Sequence, residues 1–283
     1  MVKVNFVNST GAFNTAVSLA PHVISCSWGS DVCGGPLSAA NLALAAAIAA
    51  AVAAGIVVVV SAGNGHAGFP GQHPDVISAG GVFRQPDGTL VASDYASGFA
   101  STVYPGRNCP DVSGLVGMRP RAAYIMLPLP PGCEIDVGLA GGTHPAGDET
   151  AADDGWAAIS GTSAAAPQNA GACALVKQAC PRLTPAEVRA VLQETAVDVT
   201  GGAANAVCGV SQPAAAGPDL ATGHGLVDAH KAVLAAKIRC LPVVEPAPPA
   251  GPEAPFAAPV PGLTSRDIAA LERLLERSRG LGL

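Results

Sequence analysis

Residues 42–60 contain the sequence feature that most restricts the fold. An Ala-rich stretch suited to a helix runs up to Gly55, and the strand-forming run Ile56-Val57-Val58-Val59-Val60 follows at once. A glycine readily ends a helix, and a short β-branched run is typical of a parallel strand that is buried on both faces. This change from helix to strand at Gly55 divides the apolar stretch, so residues 42–60 are not predicted to span a membrane. The segment predicts an α/β unit.

Length and charge narrow the organisation of the chain. With 283 residues, the natural division is one α/β domain over residues 1–240, a Pro/Ala-rich linker over 241–263 and an amphipathic helix over 264–283. That helix either docks on its own domain or mediates self-association or partner binding. The net charge of −6 gives no reason to expect nucleic acid or an anionic membrane surface as a partner.

The segment Ser160-Gly161-Thr162-Ser163-Ala164-Ala165-Ala166-Pro167 places a hydroxyl between a small-residue turn and a helical run. A serine at a helix N-terminus lies near unpaired backbone N–H groups and the positive end of the helix dipole. Both favour a developing negative charge, which is what acyl transfer at a serine requires. We therefore take Ser163 as the candidate nucleophile. Pro167 is expected in the first turn of a helix over 164–178, where its missing N–H has no cost.

This segment resembles the nucleophile motif of the subtilisin-like serine proteases, the subtilases, and the resemblance extends from about Val2 to Ala236. It implies a doubly wound, mostly parallel α/β sheet with helices on both faces, and hydrolysis of polypeptide substrates without a cofactor in the chemistry. It also implies that Asn64, in Ser61-Ala62-Gly63-Asn64-Gly65, donates its side-chain amide to the oxyanion together with the backbone N–H of Ser163. Without the serine motif, Asn-Gly after a strand would be an ordinary turn.

The resemblance also indicates a substrate cleft. Val23-Ile24-Ser25-Cys26-Ser27-Trp28-Gly29 is similar to the family strand that pairs with the substrate backbone and forms one wall of the pocket next to the cleaved bond. The facing wall would be Ala62-Gly63. An extended substrate lying between two such segments gains main-chain hydrogen bonds on both sides. The implied substrate-binding residues are Ser27, Trp28, Gly29, Ala62, Gly63 and Thr162.

The family motifs for the other two members of the catalytic triad are missing. Subtilases have an Asp in an Asp-(Thr/Ser)-Gly turn and a His in a His-Gly-Thr helix start, both ahead of the serine, and neither motif occurs here. We interpret Met1 as lying inside a catalytic domain. His66 is the best-placed replacement base, and we expect the chain alone to be inactive or very weak. The alternatives are a non-catalytic remnant that binds peptides or assembles, and a half-enzyme complemented by a second chain. Export is expected only if the full-length product carries an upstream signal peptide.

Two loops are candidates for cations. Asp198 and Val199, with Gly217 and Asp219, resemble the calcium loop of the sedolisins, which share the subtilase core fold; a polar loop closing on the late helix is the alternative. The sedolisins carry an acidic residue where Asn64 stands, so Asn64 favours the subtilase chemistry. A second acidic loop is interpreted as a cation site or as a solvated rim of the cleft: Asp148, Glu149, Asp153 and Asp154.

Eight cysteines allow disulfides, although their pairing does not follow from sequence. Cys26 and Cys173 fall in a buried strand and a buried helix, so free thiols are expected there. The better candidates for bridges are Cys109, Cys133, Cys208 and Cys240. A further helix is predicted to open at Thr184-Pro185-Ala186-Glu187, a capping box with proline at the first helical position.

Overall fold

The computed structural model describes residues 8–120, 125–143, 146–208 and 210–241. Six helices lie within these residues: α1 (Ser9–Ser18), α2 (Ala39–Ala53), α3 (Glu134–Leu139), α4 (Thr162–Ala179), α5 (Pro185–Thr195) and α6 (Ala229–Arg239). The strands of the main sheet are β1 (Val23–Cys26), β3 (Val57–Ser61), β5 (Ile77–Arg84), β6 (Leu90–Ala92), β9 (Val112–Leu115), β12 (Gly201–Val207) and β13 (Val210–Pro213). The remaining strands form three two-stranded pairs: β2 (Ser30–Asp31) with β4 (Gly68–Phe69), β7 (Phe99–Ala100) with β8 (Asn108–Cys109), and β10 (Ile125–Pro128) with β11 (Trp156–Ile159).

Parallel pairing dominates the seven-stranded sheet. Strand β1 pairs with β3, β3 with β5, and β5 with β9, all in parallel. The sheet is extended by β6, which runs antiparallel to β5, and then by β12 and β13. The predicted fold class, an α/β sheet that is mostly parallel, is therefore confirmed.

Strand β3 separates two hydrophobic cores. Val57 and Val59 pack on one face of the sheet with residues of α4, α5 and α6, whereas Val58 and Val60 pack on the other face with residues of α1 and α2. All four valines are at most 1% exposed. This double burial explains why the strand is a continuous β-branched run rather than an alternating one. The predicted helices on both faces are thus present.

The ends of two helices follow their local sequence signals. Helix α2 stops at Ala53, and Gly55 takes the positive φ of +89° that glycine tolerates best. Helix α5 begins with the predicted capping box, in which the Glu187 N–H donates to the Thr184 hydroxyl and the Glu187 carboxylate accepts from the Thr184 N–H. Both expectations are confirmed.

The start of α4 differs from the sequence-based expectation. The helix begins at Thr162 rather than at Ala164, so Pro167 occupies its second turn and not its first. The proline ring therefore removes a hydrogen bond that the helix would otherwise make, and the carbonyl of Ser163 loses its intrahelical donor.

Four cysteines form two disulfides, Cys33–Cys208 and Cys180–Cys240, and four are free thiols. The free state of Cys26 and Cys173 is confirmed, and so are the bridging roles of Cys208 and Cys240. The expectation for Cys109 and Cys133 is wrong. Cys109 is a fully buried free thiol in β8, and Cys133 is a half-buried free thiol that precedes α3.

Residues 242–283, which comprise nearly all of the predicted linker and the whole predicted terminal helix, lie outside the described residues. Within the described residues, no helix combines the length and the apolar character needed to cross a membrane.

The thiols provide a direct test of this arrangement. Burial raises the pKa of Cys26 and Cys173 to about 12 and that of Cys109 to about 11, so these thiols stay protonated and unreactive at pH 8. We expect a thiol reagent such as DTNB to modify one cysteine in the native, unreduced protein and four in denaturant. The Cys133→Ser variant should show no reactive native thiol. Rapid native modification of a second cysteine would contradict the described burial.

Candidate active site

The N-terminus of α4 is capped by a side chain from another loop. Gly161 precedes the helix with φ +98° and provides no side-chain cap. Asn64, three residues beyond the end of β3, fills this role: its Oδ1 accepts hydrogen bonds from the Thr162 N–H at 2.9 Å and from the Thr162 hydroxyl at 3.1 Å. A Cβ atom on Gly161 would lie 3.1 Å from the Asn64 amide nitrogen, so glycine allows this close approach.

These hydrogen bonds fix the orientation of the Asn64 amide. Because Oδ1 accepts from two donors on Thr162, the NH₂ group at the other end of the planar amide remains available as a donor. The Asn64 side chain is exposed. The N–H of Ser163 belongs to the same first turn of α4, where a helix provides no backbone acceptor. The first turn of α4 thus offers the Ser163 N–H as a donor, and Asn64 is bonded to the residue immediately before it.

Two hydrogen bonds and a proline link Ser27 to the start of α4, and we call Pro167, Ser163 and Ser27 the linked set. Pro167 cannot donate to the Ser163 carbonyl four residues earlier, and the hydroxyl of Ser27 donates to that carbonyl instead at 2.8 Å. In return, the Ser163 hydroxyl lies 3.3 Å from the Ser27 carbonyl and donates to it. Because of Pro167, the Ser163 carbonyl is free of the helix and can accept from Ser27. This hydrogen bond joins the segment after β1 to the residue that carries the candidate nucleophile.

A buried serine holds the loop that carries Asn64. The Ser97 hydroxyl accepts from the N–H groups of Gly65 and His66, at 2.9 and 3.1 Å, and donates to the His66 carbonyl at 2.7 Å. Ser97 is fully buried. Sequence reasoning missed this residue, because nothing in its local sequence indicates that it meets a loop some thirty residues away.

Tyr95 supports the approach to α4 in a similar way. Its hydroxyl accepts from the Gly117 N–H at 2.9 Å and from the Gly161 N–H at 3.1 Å, and it contacts the Ser160 hydroxyl. The Gly117 N–H also donates to Ser160 at 2.7 Å. Sequence reasoning missed Tyr95 as well, since the contacts join three segments that are distant along the chain.

The predicted cleft residues come from the ends of two paired strands. Strands β1 and β3 run parallel with Cys26 opposite Val60, so Ser27-Trp28-Gly29 and Ala62-Gly63 leave the sheet at the same edge. The hydroxyl of Thr162 joins this group, since it accepts from the Gly63 N–H at 3.2 Å. Trp28 is half-buried against the core that contains α1 and α2. The structure brings these segments together, and their contact with a substrate stays a prediction.

Among the described residues, no histidine forms a hydrogen bond with the Ser163 hydroxyl. His66 turns its Nδ1 toward its own loop, where it lies 3.4 Å from the Asn64 N–H and accepts from it. His73 is buried edge-on against Tyr104, and burial lowers its pKa. The Ser163 hydroxyl has the Ser27 carbonyl as its recorded partner within the described residues. These contacts give no support to His66 as a replacement base.

The proposed calcium residues form a separate, internally bonded loop. Asp198 accepts from the Gly217 N–H at 3.0 Å, so the two halves of the loop do meet. Both oxygens of Asp219 are taken by donors: Oδ2 by the Ala215 N–H, and Oδ1 by the N–H groups of Ala221 and Thr222. No group of three acidic, histidine or cysteine side chains suited to a metal ion occurs among the described residues. Calcium binding by Asp198, Val199, Gly217 and Asp219 stays a prediction. The carboxylates of this loop are already hydrogen-bonded to backbone N–H groups, so the loop does not require an ion to satisfy them.

Comparison with known proteins identifies the family of the chain. The family model described as the Subtilase family matches residues 5–225, which is more than half of the chain. The chain belongs to the subtilase family. No curated protein sequence matches it.

Three solved structures are similar to this subtilase domain. Fervidolysin from Fervidobacterium pennivorans, a keratinolytic enzyme related to subtilisin, is 25% identical with a TM-score of 0.56, over 80% of this chain and 28% of that one. Proteases from Pseudoalteromonas arctica are 26% identical with a TM-score of 0.50, over 76% and 51%. Sphericase, at 24% identity and a TM-score of 0.51 over 77% and 62%, shows the shared fold alone. The chain therefore spans less than two thirds of the length of each of these proteins.

The linked set of Pro167, Ser163 and Ser27 predicts a measurable coupling. Ser27→Ala should lower the free energy of unfolding by about 1 kcal/mol, because the Ser163 carbonyl loses its donor. In a Pro167→Ala background, the restored helical N–H can serve that carbonyl, so the same substitution should cost only a few tenths of a kcal/mol. Urea unfolding of the four variants measures this difference.

Ser25→Ala is the matched control, since Ser25 is exposed on β1 and its hydroxyl makes no hydrogen bond with the described residues. It should change stability by less than about 0.5 kcal/mol in either background. Equal costs of Ser27→Ala with and without Pro167 would show that the two residues are not coupled through the Ser163 carbonyl.

Proposed function

We propose that this subtilase domain is the nucleophile-bearing part of a serine endopeptidase. Ser163 Oγ attacks the carbonyl carbon of a peptide bond, its proton passes to a base, and the carbonyl oxygen becomes an oxyanion. The Asn64 amide and the Ser163 N–H donate to that oxyanion. Collapse expels the amine, which takes the proton back, and water then hydrolyses the acyl-enzyme by the reverse sequence. The observation that supports the proposal is the hydrogen bonding of Asn64 Oδ1 to Thr162, the residue before Ser163, because it leaves the Asn64 NH₂ group available as a donor.

The catalytic His and Asp are proposed to come from outside the described residues. Two features of the described residues support a missing neighbour. Strand β1 pairs on one side with β3, and no other strand among the described residues pairs with its second edge. Helix α4, although central, exposes one stripe that contains Pro167, Gly171 and Leu175, and Leu175 is 47% exposed.

An apolar groove adjoins the open edge of β1. It has a volume of about 280 Å³ and is lined by Phe13 and Ala16 of α1, by Val23 and Cys26 of β1, and by Trp28. A parallel strand seated there would bury these side chains and satisfy the backbone groups of β1. A helix following that strand would cover the stripe on α4, and its first residue would lie near Ser163. This arrangement favours a βα unit as the supplier of the base over a replacement histidine within the domain.

The alternative function is peptide binding or assembly without catalysis. It is supported by the lack of a base on Ser163 among the described residues. It leaves unexplained why Asn64 is hydrogen-bonded to the residue before Ser163, since a peptide groove alone needs no oxyanion site.

A fluorophosphonate probe distinguishes these functions. We expect the isolated chain to label slowly or not at all, because the Ser163 hydroxyl has no general base as a partner among the described residues. The protein isolated from its native source, with its intact mass and N-terminus determined, should label at Ser163 within minutes if it contains a partner unit. Ser163→Ala is the control for site-specific labelling in both preparations.

The result separates three outcomes. Rapid labelling of the isolated chain would contradict the proposal that its base lies elsewhere. Labelling of the native-source protein alone would support the complemented enzyme. A native-source protein that has the mass of this chain and does not label would establish the non-catalytic alternative.

The role of Asn64 has its own prediction. In the labelling-competent protein, Asn64→Ala should reduce the labelling rate by about 10²–10³, because one oxyanion donor is lost. This magnitude is taken from the measured loss of the equivalent type of donor in subtilisin. Asn108→Ala, which removes an exposed amide on β8, should label at the normal rate. A rate unaffected by Asn64→Ala, with circular dichroism unchanged, would exclude Asn64 from the oxyanion site.

A further inference from the structure

The two-stranded pair β10–β11 leads directly into the nucleophile. Strand β11 ends at Ile159, immediately before Ser160-Gly161-Thr162-Ser163. The two strands are joined by residues 129–155, which contain α3 and the acidic loop singled out in the sequence. Helix α3 packs near β11, and Asp136 at its start accepts from the N–H groups of Gly132 and Gly155, which hold the ends of the connection together.

One face of this hairpin is apolar and exposed. Met126 lies opposite Ala158, and Pro128 lies opposite Trp156, so all four side chains share a face. Met126 is 53% exposed and Trp156 is 46% exposed, whereas Ala157 on the opposite face is buried. We call this surface, formed by Met126, Pro128, Trp156 and Ala158, the hairpin face. Large apolar side chains grouped on a surface are typical of interaction sites.

The outer edge of β10 is suited to pairing with another strand. The Ala158 N–H donates to Asp148 Oδ2 at 2.9 Å and therefore points away from β10. Met126 and Ala158 consequently form a non-hydrogen-bonded pair, and the Met126 N–H and C=O point outward from the hairpin. Strand β10 pairs with β11 and with no other strand among the described residues. An extended polypeptide can add to such an edge through main-chain hydrogen bonds.

The charge around the hairpin face is negative. Between residues 122 and 176 the sequence has no Lys or Arg, and it has six acidic residues: Glu134, Asp136, Asp148, Glu149, Asp153 and Asp154. Asp153 and Asp154 are exposed. Asp154 accepts from the backbone N–H of Trp156 at 2.9 Å, so a carboxylate lies at the main chain of the residue that carries the exposed indole. A Lys or Arg side chain lying there would meet both a carboxylate and an aromatic face.

We propose that the hairpin face and the carboxylates of Asp153 and Asp154 form a second recognition surface for an extended, cationic polypeptide segment. The segment adds as a third strand beside β10, places apolar side chains on Met126 and Trp156, and directs Lys or Arg toward the two aspartates. Because β11 continues into Ser163, a substrate bound in this way is held close to the nucleophile. This role in substrate selection rests on the proposed function, whereas the binding itself does not.

Tryptophan fluorescence provides the test. The chain has two tryptophans, so Trp28→Phe leaves Trp156 as the sole emitter. The full chain carrying this substitution is titrated with a short synthetic peptide that alternates Lys with Val or Leu, and with a matched peptide that has Glu for each Lys. We expect a saturable shift of Trp156 emission with the cationic peptide, no shift with the acidic one, and weaker binding at high salt.

Charge variants sharpen the test. In the same Trp28→Phe chain, the Asp153→Asn/Asp154→Asn variant should bind the cationic peptide about three- to tenfold more weakly, as expected for the loss of two exposed charge pairs. Asparagine at 154 retains an acceptor for the Trp156 N–H, so the hairpin should stay folded. Asp87→Asn, which neutralises a carboxylate in the turn between β5 and β6, is the matched control and should bind normally.

Several results would overturn the proposal. These are no response of Trp156 to the cationic peptide, equal binding of the acidic peptide, or an undiminished affinity of the Asp153→Asn/Asp154→Asn variant. Sedimentation that shows a dimer dissociated by Trp156→Ser would assign the hairpin face to a second copy instead. Ser163→Ala should bind the peptide normally, so a failure of catalysis and a failure of this surface remain distinguishable.

Discussion

The double burial of β3 is the constraint on which the rest of the domain depends. Its valines supply both cores, and fully burying each one is worth about 1.5–3 kcal/mol. Burial of both faces fixes the strand between the two layers of helices, and its last residue, Ser61, leads into Ala62-Gly63-Asn64. The position of Asn64 is thus a consequence of packing that begins several residues earlier. A change that loosened β3 would displace the candidate oxyanion donor without touching the site.

Helix α4 converts this scaffold into a site through two irregularities at its start. Gly161 has no side chain, so the cap comes from Asn64 and joins the helix to the end of β3. Pro167 leaves the Ser163 carbonyl without a helical donor, and Ser27 after β1 takes its place. Each irregularity would destabilise an isolated helix. Here each one instead creates a contact that draws a separate strand end toward Ser163.

Sequence patterns identified the parts of the structure whose signals are local. The β-branched run of β3, the glycine after α2 and the capping box of α5 each depend on neighbouring residues, and each was confirmed. The error at Pro167 arose because a two-residue shift in the helix start moves the proline from the first turn to the second. Ser97 and Tyr95 were missed, since their hydroxyls join segments that meet only in the folded chain. For the same reason the partner of Cys208 could not be read from spacing, and Cys109 proved to be buried rather than bridged.

The distribution of open surfaces around Ser163 is consistent with a site assembled from more than the described residues. The free edge of β1 and the exposed stripe of α4 lie on elements that contribute Ser27 and Ser163, and the edge of β10 lies on the hairpin that leads to the same serine. The two kinds of surface differ chemically. The groove beside β1 is apolar and backed by a core, as expected for a permanent structural neighbour, whereas the hairpin face is rimmed by carboxylates, as expected for a partner that binds and leaves. Under our proposals, the groove beside β1 receives the unit that supplies the catalytic base, and the hairpin face binds the substrate.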